Sequence, residues 1–182
     1  FGKIAGIKTD GIPYPIFVYS GLLFWDFFSN SLSSASNSLV ANQAIIQKIY
    51  FPRIIIPVSS TLVFLLDFVF SSVILAGLML YYQTAPSLIG IALIIPALII
   101  SFLTAMGIGL FFSALNVKYR DVRYVLPFFI QLLLFVTPVI YPPSVLGKFQ
   151  WLWYLNPMSG VIDTMRNGLL QVGPINWQLL GA

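Results

Sequence analysis

The 182 residues are 59% hydrophobic and 16% aromatic but only 8% charged, with a mean hydropathy of +0.94. A chain of this composition carries far more apolar surface than a soluble domain of its length can hide, and it reads as a bilayer protein. The lack of Cys excludes disulfide and thiolate chemistry, the lack of His removes the commonest general base and metal ligand, and the net charge of +4 comes from nine scattered basic residues rather than a run that would follow a nucleic acid.

In chain order, Lys3, Lys8, Asp10, Gly11, Pro13 and Pro15 make a turn-rich approach to a membrane surface. A first span is expected over about 16–40, long enough at roughly 1.5 Å per residue to cross a hydrocarbon core of about 30 Å. Its first half is aromatic, with Phe17, Tyr19, Phe24, Trp25, Phe27 and Phe28, and its second half is rich in Ser and Asn. Asp26, Asn30, Ser33 and Asn37 recur at helical spacing and share one face. That face either packs and hydrogen-bonds against neighbouring helices or lines a hydrated path.

A short interfacial helix is expected over 42–50, placing Asn42, Gln43, Gln47 and Lys48 beside Ile45, Ile46 and Ile49. It runs into the elbow Tyr50-Phe-Pro-Arg53, where Pro52 pushes Phe51 out of helical geometry and a second span begins, over about 54–82. Lys48 and Arg53 place this elbow on the cytoplasmic side. Asp67, near the middle of the second span, is expected to be buried against a polar partner or to serve an ion or proton relay.

Tyr81 and Tyr82 suit the far membrane interface, ahead of an uncharged turn. The third span, about 88–115, carries the small-residue stripe Ser101, Ala105, Gly109 and Ser113, the pattern of a close helix contact. The loop Asn116 to Arg123, with Lys118, Arg120, Asp121 and Arg123, returns to the side of Lys48, and a fourth span covers about 124–141. Residues 142–172 are too apolar for a solvated loop, yet Pro157, Asp163, Arg166 and Gly168 interrupt them before they reach membrane length, so short re-entrant or interfacial helices are expected. Lys148 and Arg166 then lie on the non-cytoplasmic side, a mild strain on the charge rule. Residues 176–182 resemble the start of a last span, and the chain is read as an internal fragment. The whole is expected to be an all-α, polytopic membrane bundle.

Catalytic chemistry is hard to find in this chain. It has no Gly-x-x-x-x-Gly-Lys-Ser/Thr phosphate loop, no metal-ligand cluster and no triad, and its five acidic residues, all Asp, stand far apart. A transport subunit rather than an enzyme is expected.

Phe51-Pro-Arg53, Asn116-Val-x-Tyr-Arg-Asp121, Thr137-Pro-Val-Ile-Tyr-Pro142 and Asn156-Pro-Met158, in that order, resemble the membrane subunit of type-2 ATP-binding-cassette exporters. Within that family the chain is most similar to permeases that export lipid-linked polysaccharides such as O-antigen, capsule or teichoic acid. The resemblance implies a homodimer of six-span subunits in the bacterial inner membrane, paired with two copies of a cytoplasmic ATPase that holds the ATP and Mg. The chain itself would bind no cofactor and no nucleic acid.

The resemblance also assigns roles. Asn42, Gln43, Ile46, Gln47, Lys48 and Tyr50 would form the helix that couples to the ATPase, closed by Pro52 and Arg53. Asn116, Lys118, Arg120, Asp121 and Arg123 would be the second cytoplasmic loop. Trp25, Phe128 and Phe135 would join Asp26, Asn30, Ser33 and Asn37 along the substrate path. Pro138, Tyr141, Pro142, Trp151, Trp153, Asn156 and Pro157 would belong to an external gate. Three alternatives stand beside this one: a type-2 exporter of another lipid or a drug-like substrate, an ion-coupled secondary transporter using Asp26 or Asp67, and a membrane scaffold without transport.

Overall fold

The computed structural model describes residues 13–137, 139 and 156–170, and all regular structure among them is helical. The helices are α1 (Tyr14–Ala41), α2 (Gln43–Ile46), α3 (Ile55–Tyr81), α4 (Leu88–Lys118), α5 (Val122–Val136) and α6 (Pro157–Leu170). With 28, 27 and 31 residues, α1, α3 and α4 run about 40–46 Å at 1.5 Å per residue, longer than a hydrocarbon core. Of these, α3 and α4 are also apolar enough throughout to cross a membrane. Expectations for residues 1–12, Pro138, and 140–155 fall outside the described residues, as do those for 171–182.

Helix α1 is the hub, packed on α3 and α4 along its length and on α6 near its start. Its aromatic half supplies the core: Phe24 and Phe27 meet Phe68 of α3 edge-on, with ring centroids 5.1 and 5.8 Å apart. On the side of α4, Ser101, Ala105, Gly109 and Ser113 are all buried. A Cβ added to Gly109 would stand 2.7 Å from that of Ala35, so the expected small-residue stripe does bring two backbones together.

Helix α3 is seated on one side only. Its buried residues are Pro57, Thr61, Phe68, Leu75 and Met79, and the rest of its circumference is open. Asp67 is among the exposed residues, contrary to the expected burial against a polar partner, because the face that meets α1 is the one defined by Phe68. Helix α3 falls on the expected second span of about 54–82. Ile54 is the cap of α3 and Pro52 lies ahead of it, its carbonyl accepting from the Ile55 amide at 3.1 Å.

The far end of α3 closes with Gln83 in the left-handed region at φ 54°, while the Thr84 amide reaches back to the Met79 carbonyl at 2.9 Å. Ser87 then caps α4, accepting from the Gly90 amide at 2.9 Å and donating to the Gly168 carbonyl. Its own amide donates to the Leu169 carbonyl at 3.2 Å, which ties the end of α6 to the start of α4. Asn156 starts α6 by accepting from the Met158 amide at 3.1 Å, with Pro157 at the first helical position, and its side chain donates to Thr137 Oγ1 at 2.7 Å. Nearly all of α6 is buried.

Candidate functional site

At the Lys48 end, the expected helix over 42–50 is shorter than its sequence suggests. Only Gln43–Ile46 is helical, and hydrogen-bonded turns carry the chain on to Ile49, where the amide meets the Ile45 carbonyl at 3.1 Å. Helical structure stops there because nothing in the described residues packs on it: Ile45, Ile49, Tyr50, Ile54 and Ile55 are exposed, as are Gln43, Gln47, Lys48, Pro52 and Arg53. Ile46 and Asn42 are half-buried.

The second cationic segment lies at this same end. Asn116 is not a loop residue as expected but a buried member of the last turns of α4, donating to Asn37 Oδ1 at 3.1 Å and to the Ser36 carbonyl at 3.3 Å. That bond pins the end of α4 to the end of α1. It leaves Lys118, Arg120, Asp121 and Arg123 exposed beyond it. Lys118 and Arg123 lie over the rings of Tyr119 and Tyr124, at 5.2 and 5.3 Å from the centroids.

The polar face of α1 divides in two. Towards the Lys48 end, Asn37 is engaged by Asn116 and itself donates to the Ser33 carbonyl at 2.9 Å, so this half does packing work. Further along, Asp26 and Asn30 are exposed and face away from α3 and α4. Trp25 is displaced from its expected place on the path: it is 4% exposed and stacks near Phe28 at 5.6 Å, because the next residue round a helix points elsewhere than Asp26. On α5, Phe128, Leu132 and Phe135 share one exposed face, and Leu126 is its buried anchor.

At the opposite end, α6 carries two buried charges, Asp163 and Arg166, whose burial was not expected from the sequence. Arg166, 2% exposed, lies 3.7 Å from the centroid of Phe17 and donates to the Val139 carbonyl at 2.8 Å. Gly21 makes room for it, since a Cβ there would stand 2.5 Å from Nη2. Burial pulls Arg166 down to about 10 against the opposing pull of Asp163, leaving it cationic at neutral pH. Asp163 also accepts from Asn167 at 3.3 Å. The i, i+3 spacing of Asp163 and Arg166 was the available signal. Arg166 is therefore a packed group with Asp163 as a nearby opposite charge. Of the expected gate residues, Asn156 and Pro157 start α6; Pro138, Tyr141, Pro142, Trp151 and Trp153 lie outside the described residues.

The described residues thus form a membrane bundle with an exposed cationic elbow at one end and, at the other, a buried helix that carries two opposite charges. Residues 1–170 match the family described as ABC-2 type transporter, and the chain belongs to that family. Among curated proteins it is similar to an O-antigen export system permease protein RfbA of Klebsiella pneumoniae, with 31% identity over 172 residues, covering 92% of this chain. It is also similar to an RfbA permease of Myxococcus xanthus, at 28% over 87% of this chain and 62% of the relative. The polysialic acid transport protein KpsM of Escherichia coli is 24% identical over 93% of this chain and 66% of the relative. The chain spans 64% of the length of the Klebsiella relative.

Proposed function

We propose that the chain is the multi-pass core of the permease subunit of an exporter that moves a lipid-linked polysaccharide across the bacterial inner membrane. It would act as a homodimer driven by two copies of a cytoplasmic ATPase. The observation that carries this reading is the similarity, over most of the chain, to permeases named for O-antigen export and polysialic acid transport.

Physical features support the reading. Lys48, Arg53, Lys118, Arg120 and Arg123 gather at one end, the bias expected of the cytoplasmic side. There the exposed elbow offers Ile45, Ile49 and Tyr50 for burial in a partner's cleft, with Gln43, Gln47 and Lys48 as polar contacts. ATP and its Mg belong to that partner, since this chain has no phosphate loop. Asp26 and Asn30, uncovered at membrane depth, call for water, a second copy or a polar substrate rather than lipid. The exposed rings of Phe128 and Phe135 suit the apolar C–H faces of sugars. At the outer end, α6 closes the bundle as part of the gate.

The test is to delete the gene for the full-length permease, restore it, and assay surface polysaccharide together with lipid-linked glycan retained in the cytoplasm. Loss of surface glycan with retention inside, reversed by the restored gene only when the ATPase can hydrolyse ATP, is the expected result. Transport by the reconstituted permease alone under a proton or sodium gradient would replace this reading with the secondary transporter.

A further inference from the structure

The helices divide into two bodies by the kind of contact that joins them. Helices α1, α4 and α6 are tied at both ends by directed bonds and close backbone approaches. At the Lys48 end Asn116 donates to Asn37 Oδ1 and the Ser36 carbonyl, and Gly109 lies against Ala35. At the other end Ser87 donates to the Gly168 and Leu169 carbonyls, a Cβ on Gly90 would collide with the Leu169 backbone, and Arg166 reaches over Phe17 to the Val139 carbonyl. These three helices cannot slide past one another without breaking buried hydrogen bonds or driving backbones together. Helix α3 is held differently. Ser59, Ser60 and Ser72 donate to carbonyls of their own helix at 2.7–2.9 Å. Among the described residues, the one hydrogen bond from α3 to another helix runs from Thr61 Oγ1 to Met106 Sδ at 3.4 Å, and the same hydroxyl donates to the Val58 carbonyl at 2.8 Å. The rest of its seat is apolar and centres on Phe68 against Phe24 and Phe27, a contact with no fixed direction.

The two ends of α3 differ as well. At Gln83 a short turn, closed by the Thr84 amide on the Met79 carbonyl, joins it to the Ser87 cap that is itself tied to α6. At Ile55 the backbone bonds, Ile49 to Ile45 and Ile55 to Pro52, are local, and the elbow ahead of it is exposed. We infer that α3 is a lever that tilts about its Gln83 end against an α1–α4–α6 body that keeps its shape, so that a push on the elbow moves α3 alone. The source of that push rests on the ATPase coupling proposed above. Magnitudes agree with this division. Over the 27 residues of α3, about 40 Å, a tilt of about 5° carries Ile55 about 3.5 Å, Thr61 about 3 Å and Phe68 about 2 Å. A slide of about 2 Å is the scale of shear between packed helices. Taken across the contact, it lengthens the ring separations of 5.1 and 5.8 Å only to about 5.5 and 6.1 Å, within the range of attractive aromatic pairs. The seat at Phe68 thus survives the motion, and the Thr61–Met106 contact does not.

The full-length permease, with any Cys elsewhere replaced, would be assembled with its ATPase in vesicles as the double variant Thr61→Cys with Met106→Cys, and the two thiols joined by a short bis-methanethiosulfonate. Export should stop in the joined protein and return when reductant removes the linker; undiminished export while joined would overturn the lever. A second measurement uses exposed positions only, and so serves also if the double variant does not assemble. Spin labels at Ile55 and Val117, the Lys48 ends of α3 and α4, and separately at Ala41 and Val117, the same ends of α1 and α4, would be placed in one copy of the dimer. Their distances are read by electron paramagnetic resonance with and without ATP held on an ATPase that cannot hydrolyse it. The first distance should change by about 3 Å and the second by less than about 1 Å. A first pair that stays fixed, or two pairs that change equally, would overturn the division into lever and body. Export without ATP hydrolysis would instead remove the proposed drive, and the linker result would then decide the lever by itself.

Discussion

Arg166 concentrates the physical cost of burying α6 in one side chain. It is buried with Asp163 as a nearby opposite charge, and burial pushes the Asp163 carboxyl up against the opposing pull of Arg166, so removing the cation alone leaves that carboxylate less compensated. Arg166→Met should therefore lower the unfolding temperature of the purified permease more than Asp163→Asn with Arg166→Met together. If the double variant is the less stable, the pair is not what compensates the burial. Asn116 is a neutral counterpart at the other end. Its loss in Asn116→Leu removes two interhelical bonds, each about 0.6 kcal/mol by membrane-protein measures, so a destabilisation near 1 kcal/mol is expected. The two Asn residues of α1 should separate. Asn30→Leu should reduce export with assembly intact, whereas Asn37→Leu should act on stability, through Asn116, and a change of equal kind in both would remove the distinction drawn between the two halves of that face.

At the scale of elements, the α1–α4 contact and the elbow make opposite demands. The first is a tight seam in which Gly109 faces Ala35, while Gly77 and Gly107 have nothing within 4 Å of an added Cβ. Gly109→Leu should fail at assembly, read as loss of a monodisperse peak on size exclusion, and Gly77→Leu and Gly107→Leu should assemble normally. Among the described residues the elbow has no such neighbours, and its apolar groups are exposed. Charge reversal at Lys48, or Pro52→Ala, should leave insertion intact but lower the number of substrate molecules exported per ATP hydrolysed in vesicles. A parental ratio in these variants would reduce the elbow to a topological anchor.

For the whole molecule the decisive quantity is which end faces the cytoplasm. The 182 residues contain no Cys, so single cysteines placed here report cleanly once any Cys elsewhere in the full-length permease is replaced. Gln47→Cys and Tyr119→Cys should resist a membrane-impermeant thiol reagent in intact cells, and Gln83→Cys should react. Reaction at position 47 from outside would invert the bundle.

Much of this architecture was legible in the linear order of residues, for reasons of period and solvent. Long apolar runs have to be helices in a bilayer, because lipid offers no partner for the backbone, and charges have to mark their ends. That logic located the helices α1, α3 and α4 to within a few residues and the seam at Gly109. It could not locate what depends on which neighbour a side chain meets. Asp67 and Phe68 are adjacent in the chain, yet only packing on α1 decided that the ring is buried and the carboxylate is not. Trp25 and Asp26 divide the same way. The short α2 reflects missing tertiary support rather than poor local propensity, and the burial of Arg166 was invisible because its partners, Phe17, Gly21 and the carbonyl of Val139, come from distant segments. The residue types and their spacing by themselves determined a helical membrane protein with cationic turns on one side. The tertiary structure alone decided which polar groups are locked inside and which are left uncovered, because burial is a property of contacts between helices and not of any one of them.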